Sequence, residues 1–564
     1  MNMTHGHRLV PKLWESLADY TRPQLVADLI AGLTVGLVAL PLAMAFAISS
    51  GVKPEAGIYT AIVAGFIVSA LGGSRCQIAG PTGAFVVIVA GIVTKFGIPG
   101  LWMCTMMAGV MLVLMGVTGL GSAVRYIPRS VTIGFTNGIA VLIASTQIKD
   151  FFGLAVDPVP SEFVSRMEAL ASSAASFSGP ATLIAIATLA IVLLWPFITK
   201  TLPGSIVALF LTTVACVFLG IHVATIGSKF GGIPIGLPKF AIPEFRAELI
   251  RPLLPSAFTV AMLAAIESLL SAVVADNMSG DRHKSDVELF AQGIANLATP
   301  LFGGIPATGA IARTATNIRS GAVSPVSGIV HSLTLLVIVL AAAPLAKYIP
   351  LPTLAAILMV VSYRMGEWQE IPSILRLSGA DRLVWAATFG LTVFADLTVA
   401  VEVGMVLAAL LYIHRVSSTT TVASVTDADL GDGEPRVITD KYIPTYVSVV
   451  RIRGPFLFGA TEKLERATAD PSKFGQIVVL KLTYMTAIDG TGIHALEALA
   501  ARLQKSGRAL VVCGAQAQPA ELIHRSKLAK LLGRQNLQPH LDAALERAVV
   551  IHSGFDNPCV KLPA

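Results

Sequence analysis

The sequence predicts an α-helical membrane protein that carries a small α/β domain at its C-terminal end. Hydrophobic residues make up 54% of the 564 residues and charged residues only 13%, which is too apolar for a soluble protein of this length. Apolar runs long enough to cross about 30 Å of hydrocarbon recur from Ala27 to Ile413. After Gly433 the pattern changes to short β-branched runs that alternate with amphipathic helices.

The apolar runs predict fourteen membrane spans, seven in each half of the membrane domain. They are 27–49, 55–73, 81–96, 101–124, 130–152, 180–199, 203–222, 253–278, 286–302, 308–319, 323–343, 352–364, 381–396 and 397–415. The resulting division is an N-terminal segment 1–26, a membrane domain 27–415, a linker 416–437 rich in Thr, Ser and Asp, an α/β domain 438–554 and a tail 555–564. The basic N-terminal segment is not a cleavable signal sequence, because the first apolar run is long enough to be a span.

Two short spans, the third and the tenth, begin with Gly/Pro breaks at matching places in the two halves. The breaks are Gly80-Pro81-Thr82-Gly83-Ala84 and Gly304-Ile305-Pro306-Ala307-Thr308-Gly309-Ala310, and Pro306 follows Pro81 by 225 residues. Arg251-Pro252 follows Arg22-Pro23 by a similar 229 residues. An odd number of spans per half requires the two halves to be inverted relative to each other. The sequence therefore predicts a 7+7 inverted repeat with a binding site between the two broken spans.

Basic residues beside the spans fall mainly on one side of the predicted membrane. By the positive-inside rule this side is the cytoplasm, so both termini are expected there and the protein is expected in the cell (inner) membrane. The residues are His5, Arg8, Lys12, Arg75, Arg125, Arg129, Lys200, Arg282, Lys284, Arg319, Arg376, Arg382, His414 and Arg415.

The two breaks are typical of an anion site built from backbone groups. A helix that begins inside the bilayer exposes N–H groups and about half a positive charge at its start, and two such starts facing each other attract an anion. Small residues allow close approach, and the threonines add hydroxyl donors. The predicted binding residues at the breaks are Thr82, Gly83, Ala84, Thr308, Gly309 and Ala310.

Two ionisable residues stand within the predicted spans. Arg313 follows Thr308 by five residues, and an intramembrane arginine indicates a functional site unless it snorkels to the surface or pairs with a carboxylate. Glu267 lies in the run Ala261–Ala272, which makes it and the neighbouring Ser271 candidates for coupling transport to a cation. The alternative is that Glu267 only pairs with Arg313. Glu402, in the last span, is either structural or a further coupling residue.

The first span has a proline break of its own at Pro41, followed by Phe46. A proline in a helix frees a backbone carbonyl, and the aromatic ring can line a cavity. We therefore include Phe46 among the predicted substrate contacts.

Several classes of function are excluded. The five cysteines lack CxxC or ligand-like spacing, so no disulfide framework or metal site is predicted. No P-loop, hydrolytic triad or redox motif is present, so we expect neither an enzyme nor a cofactor. The net charge of +7 is dispersed over loops rather than clustered, which argues against a nucleic-acid partner.

In the α/β domain, strands are predicted at 447–452, 476–482 and 509–512, with a helix at 491–505. Asp489 or Thr491 is expected to cap this helix, and a phosphate or nucleotide at its start is the less favoured alternative.

The sequence resembles the sulfate permease (SulP) family of anion transporters over nearly the whole chain. The stretches that carry the resemblance are Val35–Phe46, Gly80–Ala84, Ile266–Leu270 and Phe302–Thr314, and the α/β domain resembles the STAS domain at the C-terminus of family members.

The resemblance implies a UraA-like fold with a core domain (spans 1–4 and 8–11), a gate domain (spans 5–7 and 12–14), elevator-like movement and a homodimer. It implies that Arg313 is the site arginine, with Ala312 beside it where animal members often have serine. Leu42 replaces a glutamine often seen near the substrate, which leaves the polar contacts of the first span open. Glu267 is similar to the carboxylate of proton-coupled bacterial members, and Thr491 falls at a position phosphorylated in related STAS proteins.

Together these expectations describe a proton-coupled secondary transporter of a small oxyanion in the lipid bilayer, with sulfate the leading substrate and sodium a less favoured coupling ion. Bicarbonate and C4-dicarboxylates such as succinate or fumarate are alternative substrates. Alternatives of another class are an uncoupled anion channel and a membrane-anchored signalling scaffold whose STAS-like domain binds a cytoplasmic protein.

Overall fold

The computed structural model describes residues 9–18, 20–121, 128–156, 159–160, 162–199, 203–234, 236, 238–395, 397–425 and 443–556. Parts of the predicted N-terminal segment, linker and tail lie outside these residues, as does the side chain of Glu402. The chain divides into two units, Met1–Ala408 and Ala409–Ala564.

The first unit is helical. Its helices are α1 (Lys12–Leu17), α2 (Arg22–Ser49), α3 (Pro54–Leu71), α4 (Phe85–Val117), α5 (Arg129–Phe152), α6 (Phe163–Ser172), α7 (Gly179–Ile198), α8 (Gly204–Phe218), α9 (Ile226–Phe230), α10 (Ile250–Ser279), α11 (Ser285–Ala298), α12 (Ile311–Arg319), α13 (Val326–Ala346), α14 (Leu351–Met365), α15 (Ile371–Leu375) and α16 (Gly379–Phe394); α17 (Leu397–Thr419) ends in the second unit. Among the described residues, seven helices are long and apolar enough to span a membrane. The chain is thus a multi-pass membrane protein, and the count of fourteen spans stays a prediction.

The helices of the first unit pack in two groups. In one group α13 packs on α2 and α3, and α4 packs on α10 and α11. In the other, α5 packs on α14 and α16, and α7 packs on α8 and α14. We call these two groups the core and the gate, after the predicted domains.

The third and tenth predicted spans begin later than the sequence indicated. Ala79–Gly80 (β1) and Thr308–Gly309 (β2) pair as a two-stranded antiparallel sheet, with Ala79 opposite Gly309 and Gly80 opposite Thr308. Extended backbone cannot belong to a helix, so α4 begins at Phe85 and α12 at Ile311 instead of 81 and 308. The third and fourth predicted spans are joined in α4, which is broken at Gly97, where φ is +70°.

Helix α6 was not predicted. It lies in a stretch between the fifth and sixth predicted spans, and its buried Arg166 donates hydrogen bonds to Ser145 Oγ (2.9 Å) and to the carbonyl of Pro160 (3.0 Å). The helix is short and amphipathic, so it lacks the long apolar run by which the spans were recognised.

The second unit contains the predicted α/β domain 438–554 and also the strand Thr421–Val425, which lies inside the predicted linker 416–437. Its sheet has the order β3 (Thr421–Val425), β4 (Val447–Phe456), β5 (Ile477–Ile488), β6 (Ala509–Cys513) and β7 (Leu537–Gln538), and only the β3–β4 pair is antiparallel. The helices are α18 (Thr461–Ala467), α19 (Gly490–Lys505), α20 (Ala517–Arg525), α21 (Lys527–Leu532) and α22 (Leu541–Asp556). The three predicted strands and the predicted helix are confirmed, and two separate apolar clusters form the core of the domain.

Candidate functional site

The β1–β2 pair brings the Gly/Pro breaks of the two halves into direct contact. Gly80 and Thr308, 228 residues apart in sequence, are opposite each other in this pair. Pro81 and Pro306 flank it, and a proline has no N–H to continue a helix or a ladder. The predicted contact between the two breaks is therefore present, as a two-stranded sheet inside the core with two residues in each strand.

Polar side chains of α10 and of the segment before β1 hold β2 in place. Ser268 Oγ accepts the N–H of Gly309 (3.0 Å) and forms a hydrogen bond with Thr308 Oγ1 (2.9 Å). Gln77 lies directly over Gly309, where a Cβ would collide with its amide nitrogen, and donates to the carbonyl of Ser268 (3.1 Å). Any side chain at 309 would require the Gln77 side chain to move out of this position.

This arrangement corrects one expectation about the anion donors. The N–H of Gly309 is bonded to Ser268, and that of Ala310 donates to the carbonyl of Ile78 at 2.8 Å. Both amides are thus used by the protein, one by a side chain of α10 and the other by the segment before β1. In the part of the chain that is described, the N–H groups of Gly83 and Ala84 have no acceptor.

The start of α12 supplies further donors. By helix geometry the first N–H groups of α12, at Ile311 and Ala312, have no intrahelical acceptor. Both side chains are exposed, although they begin a helix in the middle of the core. With Gly83 and Ala84, unpaired amides thus follow the β1–β2 pair in both halves.

Arg313 lies against the break of the opposite half. Its side chain is only 3% exposed, and Nη2 donates to the carbonyl of Pro81. Nη1 has no hydrogen-bond partner among the described residues. A Cβ at Gly80 would lie 2.7 Å from Nη1, so the missing side chain of Gly80 makes room for the guanidinium. Arg313 is therefore buried at the crossing and does not snorkel to a surface.

Glu267 contacts the same break from α10. Its Oε2 accepts a hydrogen bond of 2.8 Å from Thr82 Oγ1. The salt bridges between described residues do not include a pair between Glu267 and Arg313. Glu267 and Arg313 are thus not in direct contact, but their charges still act on each other, so the alternative that Glu267 only balances Arg313 stays a prediction. Glu267 is half-buried.

Phe46 and Gly83 mark the boundary between core and gate. A Cβ at Gly83 would lie 3.3 Å from Phe46 Cε1, 2.8 Å from Ile143 Cδ1 and 3.5 Å from Met365 Sδ. Ile143 belongs to α5 and Met365 to α14, both in the gate. Gly83 thus lies against apolar side chains to which both helix groups contribute.

Ser271 has a structural contact. Its Oγ forms a hydrogen bond of 3.0 Å with Thr314 Oγ1, which also accepts the N–H of Ile78 at 3.0 Å. These bonds tie α10, α12 and the segment before β1 together, and the predicted role of Ser271 in coupling stays a prediction.

Sequence reasoning missed several polar residues of the core. Asn296 on α11 holds Ala307, which precedes β2. The Asn296 side chain donates to the carbonyl of Ala307 (2.8 Å) and accepts the N–H of Ala307 (2.9 Å). Gln77, Ser268 and the fully buried His331 were also not singled out. A polar residue inside an apolar run is the pattern that would have indicated Asn296 and His331.

In the second unit, Asp489 caps α19, because its Oδ1 accepts the N–H of Gly492 at 2.7 Å. Thr491 is exposed at the first turn of this helix. The structure thus assigns the predicted cap to Asp489 and leaves the hydroxyl of Thr491 accessible. Among the described residues, His, Cys, Asp and Glu do not form a group that could hold a metal ion.

The chain matches two family models. Residues 25–388 match the sulfate permease family, and residues 439–544 match the STAS domain. The first match covers more than half of the chain.

Similar proteins are found among both bacterial relatives and solved structures. The Bacillus subtilis protein named "Putative sulfate transporter YvdB" is 43% identical over 525 residues, which cover 93% of this chain and 98% of that protein. The bicarbonate transporter BicA of Picosynechococcus is 30% identical and covers 93% of this chain and 94% of its own. The structure of SLC26A9 superposes with a TM-score of 0.85 at 18% identity, over 98% of this chain and 94% of that one, and so supports the fold.

Proposed function

The chain belongs to the sulfate permease family, whose members are transporters and not enzymes, and we propose that it is a secondary active transporter of a small oxyanion. Sulfate is the leading substrate, since the Bacillus subtilis relative at 43% identity is named as a sulfate transporter. The substrate would bind where the two broken helices meet.

The observation that carries this proposal is the position of Arg313. Its guanidinium is buried beside Pro81, and Nη1 has no protein partner among the described residues. A buried donor without an acceptor costs about 1–3 kcal/mol, more when it is charged, and a bound oxyanion removes that cost. The free amides of Gly83, Ala84, Ile311 and Ala312 would complete the coordination of the anion.

The remaining predicted contacts form the walls of the site. Phe46 lies beside Gly83 and would exclude water from one side of the anion. The Thr82 hydroxyl is directed at Glu267, and Thr308 is bonded to Ser268, so neither hydroxyl is a free donor in this structure. These two hydroxyls would hold the two broken segments of the site in place instead of contacting the anion.

Glu267 is the proposed coupling residue. Moving an anion through the bilayer without compensating charge is costly, and a proton bound by Glu267 would offset part of that charge. The core would then carry anion and proton together past the gate in an elevator-type movement. Protons are preferred over sodium because the described residues around Glu267 offer one hydroxyl contact rather than a cage of oxygen ligands.

Bicarbonate is the second candidate substrate. It is favoured by the relationship to BicA, which covers 93% of this chain at 30% identity. A C4-dicarboxylate is less favoured, because the residues that the structure describes at the site include one buried guanidinium and not two sets of charged donors. An uncoupled channel and a signalling scaffold lack a specific observation in their favour.

We further propose the placement that the sequence indicated. The protein would lie in the cell (inner) membrane as a homodimer with both termini in the cytoplasm. It would consist of a membrane domain 27–415 and a STAS domain 438–554, whose sheet also takes in β3 from the predicted linker 416–437. Thr491 would be open to phosphorylation, and a cytoplasmic protein would bind the STAS domain.

The test is uptake by purified protein in liposomes with labelled sulfate, bicarbonate and succinate, at two pH values and with or without sodium. We expect saturable uptake of sulfate, which rises with an inward proton gradient and does not depend on sodium. Uptake of bicarbonate alone would identify bicarbonate and not sulfate as the substrate. If none of the anions is taken up, the transporter proposal is contradicted.

A further inference from the structure

Histidine 331 is a buried titratable residue that the proposed mechanism does not use. It lies in the apolar helix α13 with 0% of its surface exposed. Neither ring nitrogen has a hydrogen-bond partner among the described residues. A neutral imidazole has one donor and one acceptor, and leaving both unpaired in a core is costly. A residue kept under those conditions requires an explanation beyond packing.

His331 and Arg313 both lie near α3, beside Gly65 and Ala61 respectively. A Cβ at Gly65 would be 3.3 Å from His331 Nδ1, and a Cβ at Gly80 would be 2.7 Å from Arg313 Nη1 and 3.3 Å from Ala61 Cα. Ala61 and Gly65 are four residues apart on α3, which corresponds to about 6 Å along the helix. The unpaired nitrogens of His331 and Arg313 are therefore found near two residues of α3 that are about one turn apart.

A third unpaired polar atom continues this series one turn further along α3. Ser69 Oγ is buried and has no hydrogen-bond partner among the described residues. It lies against Gly328 of α13, where a Cβ would collide with it. We call Arg313, His331 and Ser69 the polar column. Buried polar atoms of this kind are commonly satisfied by ordered water.

The polar column leads toward the end of α3 that is predicted to face the cytoplasm. Near that end, Asp28 of α2 accepts hydrogen bonds from Ser324 Oγ (2.5 Å) and from the hydroxyl of Tyr20 (2.7 Å). Ser324 directly precedes α13, the helix that carries His331. The column thus has the anion site at one end and a cluster of hydroxyl and carboxylate groups near the other.

Burial and nearby charge together determine when His331 can bind a proton. Burial disfavours a charged imidazole, and the positive charge of Arg313 on α12 acts on His331 as well. On α3, the residues Ala61, Gly65 and Ser69 carry no charge. Asp28 is the acidic group of α2, farther along toward the cytoplasmic end. A second positive charge beside Arg313 is unfavourable while the site holds no anion. A bound dianion reverses that balance.

We propose that His331 is a second proton-binding residue, which takes up a proton from water when an anion occupies the site and releases it to the cytoplasm through the polar column when the anion leaves. The inference rests on the proposed proton-coupled transport and adds one proton to the one carried by Glu267. Because linkage is reciprocal, a proton on His331 strengthens anion binding by the same factor as the anion strengthens proton binding.

The experiment is anion accumulation at steady state in liposomes, with the membrane potential clamped at zero and a proton gradient of one pH unit. Each coupled proton raises the accumulation ratio about tenfold under these conditions. Two protons give wild-type protein a ratio of about 100, and His331→Gln, which keeps a donor and an acceptor but cannot titrate, gives about 10. His494→Gln, the same change at an exposed position of α19, serves as the control and retains the wild-type ratio.

The outcomes separate this inference from the proposed function. If His331→Gln accumulates as much anion as the wild type, or if the wild type reaches a ratio of only about 10, the inference is overturned while coupled transport stands. If the wild type accumulates no anion, both fail. If His331→Gln does not elute as folded protein, the rate of anion accumulation by Ser69→Ala is measured instead. This variant should reach the wild-type ratio more slowly, and an unchanged rate would overturn the polar column as the route.

Discussion

The hydroxyl of Thr82 donates a hydrogen bond of 2.8 Å to the carboxylate of Glu267, which is 185 residues further along the chain. Thr82 belongs to the broken segment of the first half, and Glu267 to the first long helix of the second half. The broken segment of the first half and the proposed coupling residue of the second half are thus joined directly. A proton arriving at Glu267 changes this contact, because a carboxylate accepts two hydrogen bonds per oxygen while a carboxylic acid can also donate one.

Thr82→Val is expected to lower the initial rate of sulfate uptake by about tenfold, because a hydrogen bond to a charged group contributes about 1.5–3 kcal/mol. The valine keeps the shape of threonine and removes only the hydroxyl. Thr82→Ser, which retains the donor, is the matched control and should keep most of the rate. Equal rates for the valine and serine variants would show that the bond to Glu267 has no part in transport.

Glu267→Gln is expected to weaken the response of uptake to an imposed pH gradient. Loss of one coupled proton reduces accumulation about tenfold per pH unit at zero membrane potential. Glu168→Gln on the exposed face of α6 makes the same chemical change away from the site and should leave the response intact. An unchanged pH response in Glu267→Gln would assign coupling to another residue, such as Glu402.

The sequence predicted the parts of the fold that depend on apolar length and on repeat distance. Matching breaks at Pro81 and Pro306 indicated that two segments meet, and they do meet in β1 and β2. The two-residue strands themselves have no periodicity to detect, so the helix starts were placed three or four residues too early. For the same reason the amides of Gly309 and Ala310 were assigned to the anion although the protein uses them.

Side-chain contacts across the two halves could not be predicted from local patterns. Gln77 covers Gly309, and Thr82 reaches Glu267, because the tertiary fold joins segments that are far apart in sequence. Arg313 was recognised since an arginine in an apolar run is rare. The same argument applied to His331 would have identified the polar column's central residue.

Gly309→Ala is expected to disrupt the β1–β2 crossing, because the added Cβ would collide with the amide of Gln77. Overpacking of this kind costs about 1–3 kcal/mol, and we expect lower thermal stability in detergent together with loss of uptake. Gly390→Ala on α16 is the control, since an added Cβ there has no neighbour within 4 Å. A Gly309→Ala protein that melts and transports like the wild type would contradict the described packing.

Truncation after Ser417 is expected to leave anion uptake in liposomes measurable. The second unit has its own apolar clusters and sheet, which is typical of a domain that folds independently. The truncated protein should therefore keep the anion site in the first unit. Complete loss of uptake by a truncated protein that still elutes as folded would favour the scaffold alternative, in which the STAS domain is the working part.

The central claim is that the buried guanidinium of Arg313 binds the transported anion at the β1–β2 crossing. Equilibrium binding of labelled sulfate to purified wild-type and Arg313→Ala protein tests it most directly. Removing a charge-assisted partner of this kind costs about 1.5–3 kcal/mol, so the account predicts sulfate affinity weakened by about 10-fold or more in a variant that elutes and melts as folded protein. Sulfate binding to folded Arg313→Ala with wild-type affinity would contradict it.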